Sequence, residues 1–342
     1  MTDQASYYAG LDIGGSTVKA ALVDSDGKST GALTEVKSHV KDGFQATFGQ
    51  LEKALEELAS HANIEVSQIK GVGLDVPAPN CEGVVWTRAN LGDDWVGTNI
   101  RDELTKRIGI PAYMTNDGNA AAVGEYAVRP DYEGGLLLVA PGTGLGGGLV
   151  LPGGSIYAGA NGLALEVGHI SVPHREDDGS LPDCTCGLKG CAEAWVSLMA
   201  LRRRVGLELA KGQWKDHPLY TDELTIIEKA FKLRDYAEEG DELAIQIFQQ
   251  QGQILGYALG DLVRVFDPGM VVIGGGLAET SEKFRNSYMG WIQEGFIERA
   301  WPAYRHNPLD PSQITTVFEW ATGGDYSAAL GMGFVAKDLF GN

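Results

Sequence analysis

A glycine-rich turn between two apolar strands occurs twice in this chain, and that repetition constrains its fold more than any other feature. The first copy, YYAGLDIGGSTVKAALVDSDGK, begins at Tyr7, and the second, GGLLLVAPGTGLGGGLVLPGGS, begins at Gly134. Each runs apolar strand, glycine turn, second apolar strand, polar turn, which is the layout of a β-hairpin. The chain therefore reads as two related lobes, each opening with a glycine-rich hairpin. Two such turns facing across a cleft would surround a polyphosphate from both sides.

The turn residues Asp12, Gly14, Gly15, Ser16 and Thr17, and Gly142, Thr143 and Gly144, suit that task. Glycines let the backbone approach closely, and hydroxyls and N–H groups can point at oxygens. A hairpin turn on its own needs no ligand, so it is the pairing that points to one. Neither turn is a Walker A loop, because no Gly-Lys-Ser/Thr leads into a helix. GTGLGGG resembles a dinucleotide fingerprint, but strand-like LVLPGG follows it where a Rossmann fold needs a helix. A third group, Gly274-Gly275-Gly276 in MVVIGGGLAETSEKF, follows a strand and is expected to open a helix, where a nucleotide can lie against backbone.

With 342 residues the chain is long enough for two lobes. Apolar runs alternate with helical patterns, which argues for an α/β fold. Phe44, Phe48, Leu51, Leu55 and Leu58 step by four, three, four and three, an apolar stripe on one helix face. Further helices are expected over about 241–265 and after Gly276. Residues 211–239 are polar and irregular, and read as an insertion on the second lobe.

The net charge of −19 repels phosphate backbones and anionic lipid, which excludes nucleic acid and membrane surfaces as partners. The N-terminus has no basic start before an apolar run, so no signal peptide is expected. No stretch approaches the roughly 20 apolar residues of a membrane helix. With only four cysteines, a reducing cytoplasm is the expected location.

Three of those cysteines fall within eight residues, Cys184, Cys186 and Cys191 of CTCGLKGC. In a reducing compartment that spacing, with its turn glycines, suggests a structural zinc site short of one ligand. His169 and His174 both lie close upstream and both could supply it. Cys81 has no partner group and reads as a buried thiol. In YMTNDGNAAAVGEY a strand runs into a helix, with Asp117 at or near the helix start. Aspartate is a favoured N-cap there. As a functional group it could accept a proton from a substrate hydroxyl, the positive helix end keeping it ionised. Asn116 beside it offers donors and acceptors for sugar hydroxyls.

Taken together, LDIGGSTVKAAL, TNDGNAAAVGE, PGTGLGGGLV, EVGH, CTCGLKGCAE and VVIGGGL resemble, in order and over most of the chain, the ROK sugar kinases. The resemblance implies a two-lobed actin-like (ribonuclease H-like) ATPase fold, with mixed sheets flanked by helices and a cleft between lobes. It implies a smaller lobe of residues 1–116 with 325–342, and a larger lobe of 117–324 carrying the zinc site. The implied reaction is ATP-dependent phosphorylation of a hexose hydroxyl, the 6-hydroxyl of glucose being the first expectation, with Asp117 as catalytic base. Asn90, Asn116, Asp117, Glu166, His169 and Glu193 would hold the sugar. Asp12, Gly14, Gly15, Ser16, Thr17, Lys19, Gly142, Thr143, Gly144, Gly275 and Gly276 would bind the nucleotide, with Asp12 near Mg²⁺. Structural Zn²⁺ would sit on His169, Cys184, Cys186 and Cys191, bracing the sugar pocket without doing chemistry.

Fructose, mannose and N-acyl-amino sugars remain rival acceptors, polyphosphate a rival donor, and a non-catalytic sugar sensor a rival role. The family's repressors carry a helix-turn-helix domain ahead of the kinase-like part, and with a DIGGS motif starting at Asp12 none is expected here. A homo-oligomer, dimer or tetramer, is implied by the resemblance alone. Two departures stand out. The usual Ala-Gly-Glu is Ala164-Leu165-Glu166, which is expected to change the backbone beside Glu166, and the usual Pro-Gly-Pro bordering the sugar is Pro77-Ala78-Pro79.

Overall fold

The computed structural model describes residues 5–88, 91–307, 309 and 314–341. Its strands are β1 (Tyr7–Ile13), β2 (Thr17–Asp24), β3 (Ser29–Lys37), β4 (Ile69–Val76), β5 (Asn80–Cys81), β6 (Val84–Val85), β7 (Ala112–Asn116), β8 (Leu136–Pro141), β9 (Leu145–Val150), β10 (Met270–Ile273) and β11 (Val317–Trp320). The helices are α1 (Phe44–Ala62), α2 (Ile100–Ile108), α3 (Asp117–Ala127), α4 (Glu193–Val196), α5 (Leu198–Ala210), α6 (Pro218–Thr221), α7 (Ile226–Glu239), α8 (Glu242–Phe266), α9 (Glu282–Arg299) and α10 (Ser327–Phe340). Among the described residues no helix is long and apolar enough to cross a membrane.

The chain divides into two units. One comprises Met1–Leu138, Gly148–Leu165 and Thr322–Asn342, the other Val139–Gly147 and Glu166–Ala321. The boundary expected after residue 116 is thus displaced, because α3 belongs with α10 in the first unit. A Cβ on Gly124 would fall on the Ser327 carbonyl, so these two helices meet backbone to backbone.

In the first unit the sheet order is β3-β2-β1-β4-β7. The first hairpin forms as the sequence suggests: β1 and β2 run antiparallel, Ile13 opposite Val18. β4 runs parallel to β1, and β7 parallel to β4. Alternation along the strands separates two faces. Leu11, Ile13, Val72, Leu74 and Val76 join a core with Phe48, Leu51, Leu55 and Leu58 of α1. Gly10 and Gly73 point the other way, and a side chain on either would strike the backbone of α10. The next residues on that face are Asp12 and Asp75.

The second unit is built on β11-β10-β8-β9, to which it contributes residues 139–141 of β8 and 145–147 of β9. β10 and β11 are parallel. The long helix expected near 241–265 is α8, with Asp241 capping the Ala244 N–H at 2.9 Å, and it packs along α9.

Two expectations fail here. Residues 211–239 are not irregular: α7 starts at a capping box between Thr225 and Glu228 and buries Ala230, Leu233 and Ala237. That stripe is made mostly of small residues, a weak apolar signal in a polar segment. Gly274–Gly276 do not open a helix either. The chain turns until Ser281, whose hydroxyl accepts the Phe284 N–H at 3.2 Å and starts α9. Gly275, at φ +73°, instead seats the turn against the Pro141 carbonyl, where a side chain has no room.

Candidate active site

Three carboxylates gather at the strand ends of the first unit. Asp12 and Asp75 are directly opposite each other on the parallel strands β1 and β4. Asp117 is the first residue of α3, just past β7, and its charge acts on both. Asn116, not Asp117, is the N-cap of α3: its Oδ1 accepts the Asn119 N–H at 2.9 Å. That frees the Asp117 carboxylate from capping, and the Gly118 N–H donates to its Oδ1 at 2.9 Å.

The side chain of Asp117 reaches solvent, yet protein surrounds it closely enough that burial pushes its carboxyl above the ordinary range. Backbone N–H groups at the helix end pull the other way and lose. The helix terminus is therefore not the dominant influence expected from the sequence. Asp12 is also raised by burial, an effect that hydrogen bonding with Asp75 and the charge of Lys19 oppose. Asp75 is 0% exposed and lies well above the usual carboxylate range, first through burial and then through the charges of Asp12 and Asp117.

Asp75 escapes the motif search because none of the glycine, cysteine or DG motifs contains it. Its signal was an acid inside the apolar strand GVGLDV. Lys19 lies opposite Asp12 on β2, with its Nζ 3.6 Å from Asp325 and over the Tyr326 ring. In the turn between β1 and β2, the Gly14 N–H donates to the Thr17 carbonyl at 2.9 Å, leaving Gly15 and Ser16 exposed. Asn90 lies outside the described residues.

In the second unit His169, Cys184, Cys186 and Cys191 bring one ligand atom each to within 4.8 Å of one another. Cys186 Sγ and Cys191 Sγ are 3.7 Å apart, and Cys184 Sγ is 3.6 Å from His169 Nδ1. A tetrahedral zinc with bonds of about 2.3 Å to sulfur has ligand–ligand edges of about 3.8 Å, so both spacing and donor set fit that ion. Burial pushes the Cys191 thiol up to about 12, so only a cation within bonding distance would hold it as thiolate at neutral pH. His174 is used elsewhere, edge-on to Trp195 at 4.7 Å and with Nε2 3.3 Å from Gln250 Nε2.

Glu193, at the start of α4, links this cluster to the second glycine turn. Its Oε2 accepts the Leu145 N–H at 3.0 Å, and its Oε1 accepts the Thr185 hydroxyl at 3.0 Å. Gly144 permits the approach, since a Cβ there would lie 2.5 Å from Oε2. Glu166 caps the 3₁₀ turn Val167–His169, its carbonyl accepting the His169 N–H at 3.0 Å. Leu165 before it holds φ +65°, the left-handed conformation that a glycine adopts freely and that costs a residue with a side chain strain.

The same unit holds a cavity of about 230 Å³ lined by Gly142, Thr143, Phe231, Arg234, Gly276 and Leu277, among others. Of the expected nucleotide-binding residues, Gly142, Thr143 and Gly276 thus line one pocket, while Gly144 and Gly275 do not. Phe231 and Arg234 come from α7, which sequence reasoning left unassigned, and Arg234 donates to the Gly276 carbonyl at 3.2 Å.

The mixed sheets with their flanking helices, matched over nearly the whole chain by a ROK sugar-kinase structure, have the actin-like ATPase fold. The chain belongs to the ROK family, whose model matches residues 8–337. It is similar to a glucokinase of Halalkalibacterium halodurans, 28% identical over 334 residues that cover 97% of this chain and 95% of that one. It is similar also to a glucokinase of Thermotoga maritima, 30% identical over 297 residues, 84% of this chain and 89% of that one. The crystal structure of a ROK hexokinase from Thermus thermophilus matches with a TM-score of 0.74 at 26% identity, covering 96% of this chain and 97% of that one.

Proposed function

We propose that the protein transfers the γ-phosphoryl group of ATP to a hydroxyl of a hexose, with glucose as the acceptor and Asp117 as the general base. The observation that carries it is the environment of Asp117: freed from capping, fixed through one oxygen by the Gly118 N–H, and raised in proton affinity by burial. A base with raised proton affinity transfers a proton more effectively, provided it stays ionised at the working pH. Similarity to the two glucokinases supports glucose as acceptor and ATP as donor.

Asp117 takes the hydroxyl proton as the sugar oxygen attacks the γ-phosphorus, and ADP leaves in line. Backbone N–H groups and hydroxyls of the turns at 14–17 and 142–145 receive the phosphate oxygens. Positioning and electrostatics carry most of such a reaction. The base adds roughly 10²–10⁴-fold. Mg²⁺, held near Asp12, supplies charge neutralisation on the phosphates when bound. Asn116, Glu166, His169 and Glu193 orient the sugar. Zn²⁺ on His169, Cys184, Cys186 and Cys191 would lock the loop leading to Glu193. The adenine base would occupy the cavity beside Gly276 and Phe231.

A reducing cytoplasm, which would keep the cysteines available for zinc, is the location that goes with this reading. Assembly into two or four copies, implied by the family likeness, is read by light scattering. A coupled ADP-release assay with Mg·ATP against a hexose panel tests the proposal. Glucose-dependent turnover that falls about 10²-fold or more in Asp117→Asn is expected. Near-normal kcat in that variant, or ADP release indifferent to every sugar, would overturn it. Preference for fructose, mannose or an N-acyl-amino sugar would revise the acceptor alone.

A further inference from the structure

Glu125, near the C-terminal end of α3, is a carboxylate only 3% exposed that the proposed reaction leaves without a task. The chain re-enters the first unit at Thr322. There the Thr322 N–H donates to Glu125 Oε2 at 3.0 Å, and the Gly323 N–H donates to Oε1 at 2.8 Å. Arg129, one turn along α3, donates to Oε2 at 2.7 Å and balances the charge. All three partners are donors, so only a carboxylate, which offers acceptors on both oxygens, satisfies them together. Charge-assisted bonds of this kind are the strong ones, and the burial of Glu125 keeps water from competing. The turn beginning at Thr322 is therefore fixed at its first two residues. It ends on the residues that hold Lys19. Asp325 Oδ2 lies 3.6 Å from Lys19 Nζ, and the ring of Tyr326, the N-cap of α10, has its centroid 5.8 Å from the same ammonium. Lys19 itself stands opposite Asp12, two residues past Thr17 of the first glycine turn.

We propose that Glu125 is a positioning residue for the nucleotide: through the turn at 322–326 it holds Lys19 beside the first glycine turn, so that the ammonium is set before the phosphates arrive. A lysine carries its charge on a flexible four-carbon stem, and ordering that stem at the moment of binding weakens affinity. A turn that restrains the stem beforehand removes part of that cost. The Asp325 side chain is 76% exposed, so its pairing with Lys19 is weak and gives way to a phosphate without a large penalty. The Tyr326 ring keeps the ammonium in place without competing for its charge in the way an anion would. The inference rests on the proposed function for the nucleotide and extends it to a residue that touches neither substrate.

A double-mutant cycle read by calorimetric titration of Mg·ATP into zinc-loaded, sugar-free protein tests this. Lys19→Met should weaken binding roughly tenfold, the loss of one hydrogen bond to a charged group. Glu125→Gln sets an amide N–H against at least one of the three donors, releases the turn, and should weaken binding about threefold, as for leaving one flexible side chain unordered. Tyr326→Leu leaves the core of α3 untouched and should weaken it about twofold or more, the share of an exposed cation–π contact. In the Lys19→Met background neither further substitution should change ATP affinity. Losses that add to that of Lys19→Met, or ATP affinity unchanged in both single variants, would overturn the proposal and leave Glu125 a structural residue. Native-state hydrogen exchange checks the anchor without any ligand: the Thr322 and Gly323 N–H groups should be protected in wild type and exposed in Glu125→Gln, and equal protection in both would refute it. Wild type that binds no Mg·ATP would overturn the proposed function and this inference with it, whereas ATP binding with additive losses overturns this inference alone.

Discussion

Replacing Glu193 by Gln and by Ala separates its charge from its hydrogen bonds. Its two oxygens accept from the Leu145 N–H and the Thr185 hydroxyl, both at 3.0 Å. A backbone N–H can only donate, whereas a hydroxyl rotates to accept. Gln can therefore turn its oxygen to Leu145 and its amide to Thr185, keeping both bonds as neutral ones. A hydrogen bond to a charged group contributes about 1.5–3 kcal/mol and a neutral one about 0.5–1.5. Glu193 is only half-buried, so water enters and the lower ends apply. Glu193→Gln should then lose about 2 kcal/mol over the two bonds and Glu193→Ala about 3 kcal/mol. Urea unfolding gives the stabilities, and steady-state kinetics gives KM for ATP and for hexose. Gln should raise the hexose KM and leave the ATP KM nearly unchanged, because the Leu145 turn keeps its anchor. Ala should raise both. Equal destabilisation by Gln and Ala would mean that charge alone anchors the turn. An Ala variant with wild-type ATP KM would remove Glu193 from the turn altogether.

Cys186→Ser should lose bound zinc and raise the hexose KM together, since the cluster and Glu193 share one loop; metal content beside sugar titration checks this, and intact sugar binding without metal would refute the bracing role. The acid limb of kcat/KM should lie above 3.8, because burial raises Asp117. The base is lost as pH falls through that raised value. The same raised carboxyl works against stability at neutral pH, a penalty relieved as pH falls into the window between its raised value and 3.8. A limb at or below 3.8 in a pH–rate profile would contradict this. Gly124→Ala gains about 1 kcal/mol of helix propensity. It also forces a Cβ onto the Ser327 carbonyl, where backbone cannot swing aside, at a cost at or above the top of the usual range of about 1–3 kcal/mol. Net destabilisation of about 2 kcal/mol is expected in urea unfolding, and a neutral variant would show that α3 and α10 can separate cheaply.

Features set by neighbours along the chain were legible in the sequence. The hairpin of β1 and β2, the buried stripe of α1 and the CTCGLKGC ligand spacing all depend on local periodicity or on turns of a few residues. Even there, a choice between two histidines equally near in sequence waited on the fold. His169 reaches the cysteines because a 3₁₀ turn presents it, and His174 packs on Trp195. α7 was hidden because Ala230 and Ala237 supply little hydrophobic contrast, and their burial depends on neighbouring helices.

The sequence by itself determined the strand and helix alternation, the glycine turns, the candidate base and the candidate metal ligands, since residue type and short-range spacing decide these. Only the tertiary structure decided which distant residues share a site. It set Asp75 against Asp12 through the register of parallel strands separated by an entire crossover. It tied Glu193 to Leu145 across 48 residues. It also made burial, rather than the helix end, the stronger influence on Asp117. Burial and long-range pairing are properties of the packed chain, and no local pattern encodes them.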